Sequence, residues 1–512
     1  MDAIQLSLFA NRIAAVCDEM GTMLRCAALS PNIKDRLDFS CAVFDAQGQL
    51  CAQAAHIPVH LGSMAYAMAG IVGQLVWHAG DMVIVNDPFL GGTHLPDVTL
   101  IAPVFVAGEL AAFVVNRAHH ADIGATAPGS MPISRSLDEE GIIIPPTHLL
   151  QGGVLDELFF NSIVAATGDA QQSRGDFSAQ ISANHVGVQR LATLIESLGV
   201  GSFYTALEKL NDYGERLAVS ALDQIPEGEY QFVDLMDDDG VGGRDIPIQA
   251  LLTVRHGRVH VDFSGTAPQV QGNINCPLSV AAAAVYYVFR CLMPPQTPAC
   301  AGSFRRITLA APEGTLVNAC RPAAVAAGNV ETSSRIVDVI MGALAQAIPA
   351  QIPAASHGSM NNVAMGSRAG SYSWDYYETL GGGMGAGQHG GGLSAVQTHM
   401  TNTLNTPIES LEMHYPLRIR RYQVRRGSGG VGLHPGGDGL VREFEFLAPT
   451  TVTLLTERRS YRPWGLAGGG AGQVGINRRD GEELPAKVCF EAQPGERLTL
   501  ATPGGGGWGG LK

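Results

Sequence analysis

The stretch from Asp81 to His120 limits the possible folds of this chain more than any other. DMVIVND (81 to 87) is an apolar run of strand length that enters the glycine loop FLGGTHLPD. The chain then runs out and back as VTLIAPVFVAGELAAFVVNRAHH, with a turn at Ala107-Gly108. Short apolar runs bounded by glycine and polar turn residues read as buried strands. The segment holds no long charged run, so it belongs inside the molecule.

The rest of the chain alternates helical and strand patterns. Residues 1 to 25 read as an amphipathic helix, with Ile4, Leu8, Ile13 and Val16 on one side. FSCAVFDAQGQLCAQ (39 to 53) reads as two short strands about Ala46-Gln47-Gly48, and 62 to 78 as a second helix. Residues 126 to 153, rich in Pro, Ser and Gly, read as loop, and 176 to 221 as helical. Strand-like alternation fills 225 to 272, and helical patterns return over 277 to 293 and 331 to 348. After residue 415 short strands alternate with glycine turns, and the chain ends in TPGGGGWGG. No fixed-period repeat is present. These patterns predict a mixed α/β chain of the α+β class. Residues 1–512 form a single unit with two approximate lobes. Lobe 1–224 holds the candidate metal residues and a helical segment, and lobe 225–512 is mixed and ends in a strand-rich, glycine-rich third.

Composition narrows the function. The net charge is −14 with no basic stripe, which argues against nucleic acid as a partner. No segment reaches the roughly 18 apolar residues needed to span a bilayer, so no membrane partner is expected. The first twenty residues lack a basic n-region, an unbroken apolar core and a cleavage site, so a cytoplasmic location is expected. The nine cysteines form no CxxC pair, which fits free, packed thiols in a reduced compartment. The 63 glycines imply many tight turns and close backbone approaches.

The sharpest chemical signal is GGTHLPD followed by NRAHHAD. His94 and Asp97 lie in the glycine loop, and His119 and His120 end the returning strand. Two strands joined by a short turn bring both ends to one sheet edge. Mixed nitrogen and oxygen ligation suits zinc, manganese or iron(II), and three protein ligands with an open position suit a catalytic metal. His119 and His120 point to opposite faces of a strand, so at most one of them ligates. Asp122 is a candidate base or supporting group. The bland reading is that His, Asp and Gly are ordinary loop residues and HxxD is short enough to arise by chance. His56 and His60 in HIPVHLG read as structural histidines bonded to backbone carbonyls. Asp38 is either a further ligand or a turn residue. GGGMGAG (381 to 387) lacks the Lys-Ser/Thr of a phosphate loop and reads as a close-packed turn. No Walker motif and no GxSxG elbow occurs.

SPNIKDRLDFSCAVFDAQGQL, HIPVHLGSM, NDPFLGGTHLPDVTLIAPVF, NRAHHADIG, AAGNVETSSRIVD, YYETLGGGMGAG, HMTNTLNTPIESLEMHYPLRI and the terminal TPGGGGWG together resemble the hydantoinase B/oxoprolinase family over essentially the whole chain. The resemblance implies a metal-dependent subunit of an ATP-dependent hydrolase of hydantoins, 5-oxoproline or lactams. An A-type partner subunit would bind ATP and phosphorylate the amide oxygen, in an α2β2-like hetero-oligomer. It implies a divalent metal (zinc, manganese or iron) on His94, Asp97 and His119, with Asp38 as a fourth ligand. His120, Asp122 and Glu140 are then candidates for proton transfer. The alternatives are a ketone carboxylase subunit of the acetone or acetophenone type and, from another class, a non-catalytic scaffold subunit. Two departures stand out: His389 lies where an acidic residue is expected, and Ala125 where a second glycine is usual. The chain also lacks the C-terminal extension of some carboxylase subunits, which favours the hydrolase branch.

Overall fold

The apolar hairpin lies in the middle of a seven-stranded sheet. The structure is a computed structural model that describes residues 2–54, 56–368 and 373–511. The sheet comprises β1 (Phe39–Asp45), β2 (Leu50–Gln53), β3 (Met82–Val85), β4 (Asp97–Val106), β5 (Glu109–His119), β6 (Thr147–Gln151) and β7 (Val154–Leu155). Its order is β2-β1-β5-β4-β3-β6-β7, antiparallel throughout. β6 falls inside the segment that reads as loop. Five residues are too few for a periodicity to register, and β6 exists because it pairs with β3.

Both faces of this sheet are covered, which explains the unbroken apolar runs. Helix α1 (Ala3–Ala27) follows an Asp2 capping box. After the short α2 (Pro31–Lys34) and the crossing helix α3 (His60–Ile71), the chain makes the sheet, then α4 (Glu157–Ala165), α5 (Ala170–Leu198) and α6 (Val200–Leu222). On one face, Val98, Leu100, Val114 and Ala118 pack against Phe177, Ala183, Met20 and Leu24 of α5 and α1. On the other face, Val83, Ile101, Phe113 and Val115 pack against Met64, Met68 and Ile71 of α3. Val114 and Val115 therefore serve different cores, as strand alternation requires.

A second sheet, β8 (Gly228–Asp238), β9 (Arg244–Arg255), β10 (Arg258–Asp262) and β11 (Ile307–Ala310), runs in the order β11-β10-β9-β8. Its buried face joins α7 (Leu278–Leu292) and α8 (Ser333–Ala347) in the central core. Two further sheets of four and five strands, lying between Asn362 and Ala501, make the C-terminal part. The class is α+β, with strands dominating the last third. Among the described residues no helix is long and apolar enough to cross a membrane, and the cysteines are free thiols.

The glycine runs pack backbone to backbone. Residues 381–387, 428–437, 465–472 and 503–509 lie side by side, bonded through Gly430 N–H to Gly505 C=O (2.8 Å), Gly505 N–H to Gly437 C=O (2.9 Å), Ala386 N–H to Gly506 C=O (2.9 Å) and Gly507 N–H to Gly470 C=O (2.9 Å). A Cβ on Gly505 would sit 2.1 Å from the Met384 carbonyl, and one on Gly436 would sit 2.0 Å from that of Gly505. Side chains are excluded because carbonyls occupy their space. GGGMGAG is thus a packed layer. Gly505→Ala should cost about 1–3 kcal/mol or more, read as a lowered thermal midpoint. Gly390→Ala, whose Cβ meets nothing within 4 Å, should be near neutral. Equal midpoints for the two variants would refute this account.

Candidate metal centre

The glycine loop is built to deliver His94. Gly91 takes φ +103°, and a Cβ there would lie 2.3 Å from the Ala67 Cα of α3. Buried Asn86 ties the loop down, donating to Leu95 C=O (2.9 Å) and Ile142 C=O (2.8 Å) and accepting from Ile144 N–H (2.7 Å). Arg117 on β5 reaches across to Gly91 C=O (3.1 Å), Ser63 Oγ (2.7 Å) and Thr99 Oγ1 (2.8 Å). Asp97 begins β4 and pairs directly with His119 at the end of β5. The register of one hairpin therefore sets a carboxylate beside an imidazole.

His94, Asp97 and His119 are all buried, and one ligand atom from each lies within 4.8 Å of the others. Asp97 Oδ1 is 3.1 Å from His119 Nδ1 and 3.3 Å from His94 Nε2. Asp97 Oδ2 accepts from Thr93 Oγ1 (2.6 Å) and Asn329 Nδ2 (3.2 Å) and lies 3.3 Å from His60 Nε2. His94 Nδ1 must carry its proton, because it donates to Ala326 C=O at 3.1 Å. Its Nε2 faces Asp97 Oδ1 at 3.3 Å without a hydrogen bond, and His119 Nε2 is also unpartnered. Two orphaned imidazole nitrogens in a dry site are costly unless a cation or a proton satisfies them. An imidazole oriented by Nδ1–H to a backbone carbonyl is the arrangement of a metal ligand.

The charges agree with this arrangement. Burial alone would raise the Asp97 carboxyl, but His94, His60 and His119 outweigh it and hold it well below its ordinary range. Burial opposes protonation of His94, yet Asp97 raises it overall. His119, whose burial prevails, is lowered. Beside Asp97 and His119 lies a cavity of about 20 Å³, lined also by Asp38, His60, Asn329 and Tyr377 among others. That is room for one ion or one water, and none for a substrate ring.

The other predicted residues fall around this group. Asp38 lines the cavity, but its carboxylate lies outside the trio, 3.7 Å from Arg36, while its carbonyl accepts from His119 N–H (3.0 Å). His120 faces the opposite side of the sheet, stacked on Phe177 at 4.3 Å and bonded to Gln180 Oε1 at 2.9 Å. Asp122 accepts from Gly124 N–H (2.7 Å) and Gly168 N–H (2.5 Å) and pairs with Arg368 (3.2 Å), which makes it a loop anchor. Glu140 accepts from Ser134 Oγ (2.7 Å) and from Val325 and Ala326 N–H (both 2.9 Å), and so holds the segment whose carbonyl orients His94. Burial raises Glu140 to about 7. His389 is exposed and Ala125 buried, both away from the group.

Three members of the group are not evident in the sequence. The HIPVHLG pattern predicts a backbone carbonyl as the partner of His60. It bonds Ser40 Oγ (2.9 Å) and faces Asp97 instead, because the crossing of α3 turns it inward. Its neighbour His56 accepts from Cys41 N–H (3.2 Å). Asn329 comes from a π-turn, Gly328–Thr332, a feature common at functional sites. Tyr377 stacks on His119 at 4.8 Å and donates to Asn362 Oδ1 (2.7 Å), and Asn362 in turn donates to Glu331 (2.6 Å). AGNVETS is a usable signal for Asn329, since its polar residues interrupt an apolar helix pattern.

Whole-chain comparisons give the family and the fold. The chain belongs to the hydantoinase B/oxoprolinase family, whose model matches residues 2–511. It is 38% identical to 5-oxoprolinase 1 of Arabidopsis thaliana over 99% of its length, but spans only 42% of that protein. It is 33% identical to a B-type D-/L-hydantoinase chain of a Pseudomonas species, covering 90% of it. The fold superposes on the ATP-dependent caprolactamase of Pseudomonas jessenii with a TM-score of 0.92 at 29% identity, covering 100% of this chain and 91% of that one. It also superposes on acetone carboxylase with a TM-score of 0.89, covering 99% and 76%; at 18% identity that likeness establishes the fold alone.

Burial, with Glu457 close by, raises Glu331 from 4.5 to about 7, and its Oε2 lacks a partner. A carboxyl raised by folding stabilises fully below about 4.5, and that contribution is lost as pH rises through about 7. Glu331→Gln keeps the acceptor used by Met360 and Asn362. It should remove a penalty on the order of 3 kcal/mol at alkaline pH. Thermal midpoints at pH 5 and pH 8 should converge in the variant, and parallel pH profiles for the two proteins would refute the assignment.

Proposed function

We propose that this chain is the metal-dependent subunit of an ATP-dependent cyclic amide hydrolase, acting on a ring whose amide oxygen is phosphorylated by an A-type partner. The observation that carries the reading is the buried His94–Asp97–His119 group with its two unpartnered imidazole nitrogens. The donor set of two nitrogens and a carboxylate oxygen fits zinc, manganese or iron. Bound there, the metal supplies a Lewis acid that lowers the pKa of water and stabilises charge developing on oxygen.

The protein's own residues do the rest. A cyclic amide resists attack because its nitrogen donates into the carbonyl, and phosphorylation of the oxygen converts it to an imidate phosphate whose carbon accepts water and whose oxygen can leave as phosphate. Asp97 gathers the histidines, and Asn329 and Thr93 fix its second oxygen. Glu140 acts through Ala326 to keep the His94 Nε2 lone pair facing inward. His60, held between Ser40 Oγ and Asp97 Oδ2, orients that carboxylate from the cavity side. His120 and Asp122 serve as supports, since their polar atoms are already engaged. ATP binds the partner, and the likeness to a B-type hydantoinase chain supports such a partner.

Elemental analysis of the purified chain, with and without its A-type partner, should find about one divalent metal per chain. It should be lost in His94→Ala and Asp97→Ala and retained in His120→Asn. A metal-free wild-type complex would favour the scaffold alternative. In the complex, ATP-dependent ring opening should proceed without bicarbonate, and Asn329→Ala should lower it about 10–100-fold. Strict bicarbonate dependence would instead indicate a ketone carboxylase.

A further inference from the structure

The cavity beside Asp97 and His119 is too small for a ring, so the ring must rest elsewhere. A pocket of about 440 Å³ lies immediately beyond it. Thr401 lines both spaces, and Pro58 of the pocket stands between Ile57 and Val59 of the cavity. The wall between them is two chain segments joined by Val59 N–H to Met400 C=O (3.2 Å) and Asn402 Nδ2 to His56 C=O (3.1 Å).

The lining of this pocket is distinctive. Val288, Leu292, Met341, Ile352, Pro353 and Met384 give it an apolar side. Tyr287, Gln397, His399 and Thr401 give it polar groups. His399 holds a left-handed φ of +59°, a conformation that favours glycine, and burial lowers its imidazole against the pull of Asp338. Among the described residues the lining contains no Asp, Glu, Lys or Arg. The other grooves differ: one holds Glu313 and Arg321, another Lys34, Asp35, Asp169 and Asp375.

We infer that this pocket holds the ring of an uncharged cyclic amide, and that it disfavours a ring bearing a carboxylate, such as 5-oxoproline. The inference rests on the hydrolase reading above and names its substrate class. The pocket size is that of a small-molecule site, and methylene groups with one amide match an apolar side with a few hydrogen-bonding groups. A carboxylate placed there would lose its water without gaining a cation, which is costly. The discrimination is therefore built from what the pocket lacks.

The decisive comparison is 2-pyrrolidinone against 5-oxoproline, which share a ring and differ by the carboxylate. In the complex with ATP, kcat/KM should favour 2-pyrrolidinone by at least about tenfold. Cys291→Arg puts a cation at the pocket and should narrow that ratio about tenfold, whereas the neutral Cys291→Gln should not. A wild-type preference for 5-oxoproline, or a ratio unmoved by Cys291→Arg, would overturn the inference. In parallel, alkylation of Cys291 by N-ethylmaleimide on the wild-type chain is followed by mass spectrometry. Protection by 2-pyrrolidinone and none by 5-oxoproline is expected, and equal rates would overturn the pocket assignment. That readout needs no turnover. If neither ring is opened but protection is selective, the hydrolase reading fails and the pocket stands.

Discussion

One buried carboxylate organises this molecule. Asp97 lies where a glycine loop becomes a central strand, and three imidazoles, a hydroxyl and an amide converge on its two oxygens. Removing a carboxylate from water is tolerable only if it is paired and hydrogen-bonded. Each supporting group is itself held by a second one: His94 by Ala326, Ala326 by Glu140, His60 by Ser40 and Asn329 by a π-turn. The arrangement is rigid because every member is buried and few alternative partners exist. His94 Nε2 and His119 Nε2 are left without a hydrogen-bond partner.

The glycine-rich segments have a different physical basis. Their layers are held by backbone hydrogen bonds at distances that leave no space for a Cβ. The low-complexity look of the C-terminus is thus a packing requirement, with the tightest glycines answering to a carbonyl of another segment. The same layers carry Met384 to the rim of the uncharged pocket and bring the 351–356 loop against it. A feature that resembles a phosphate loop in sequence therefore shapes an uncharged pocket in the fold.

Much is legible in the sequence where the signal is local. The hairpin reads as buried because both faces of its sheet are covered. The separation of His119 from His120 follows from strand alternation, and the two rings do lie on opposite faces. β6 and the inward turn of His60 are not legible. Both depend on partners distant in sequence, β3 for one and Ser40 with Asp97 for the other. Glu140 reads as a proton carrier, and nothing in the chain near residue 140 signals the two backbone amides of 325 and 326 that occupy it.

The sequence by itself determined the class, the family, the metal-competent residue types and the hairpin that brings Asp97 and His119 to one sheet edge. The class, the residue types and the hairpin follow from periodicity and motif spacing, which are properties of short stretches, and the family follows from resemblance along the whole chain. Only the tertiary structure decided which histidines share a cavity, which acids are already spent as anchors, and that a pocket without charge lies behind the group. Those properties depend on contacts between residues hundreds of positions apart, such as Asp97 with Asn329 and His119 with Tyr377. Burial in three dimensions, and not proximity along the chain, sets the energy of a charge.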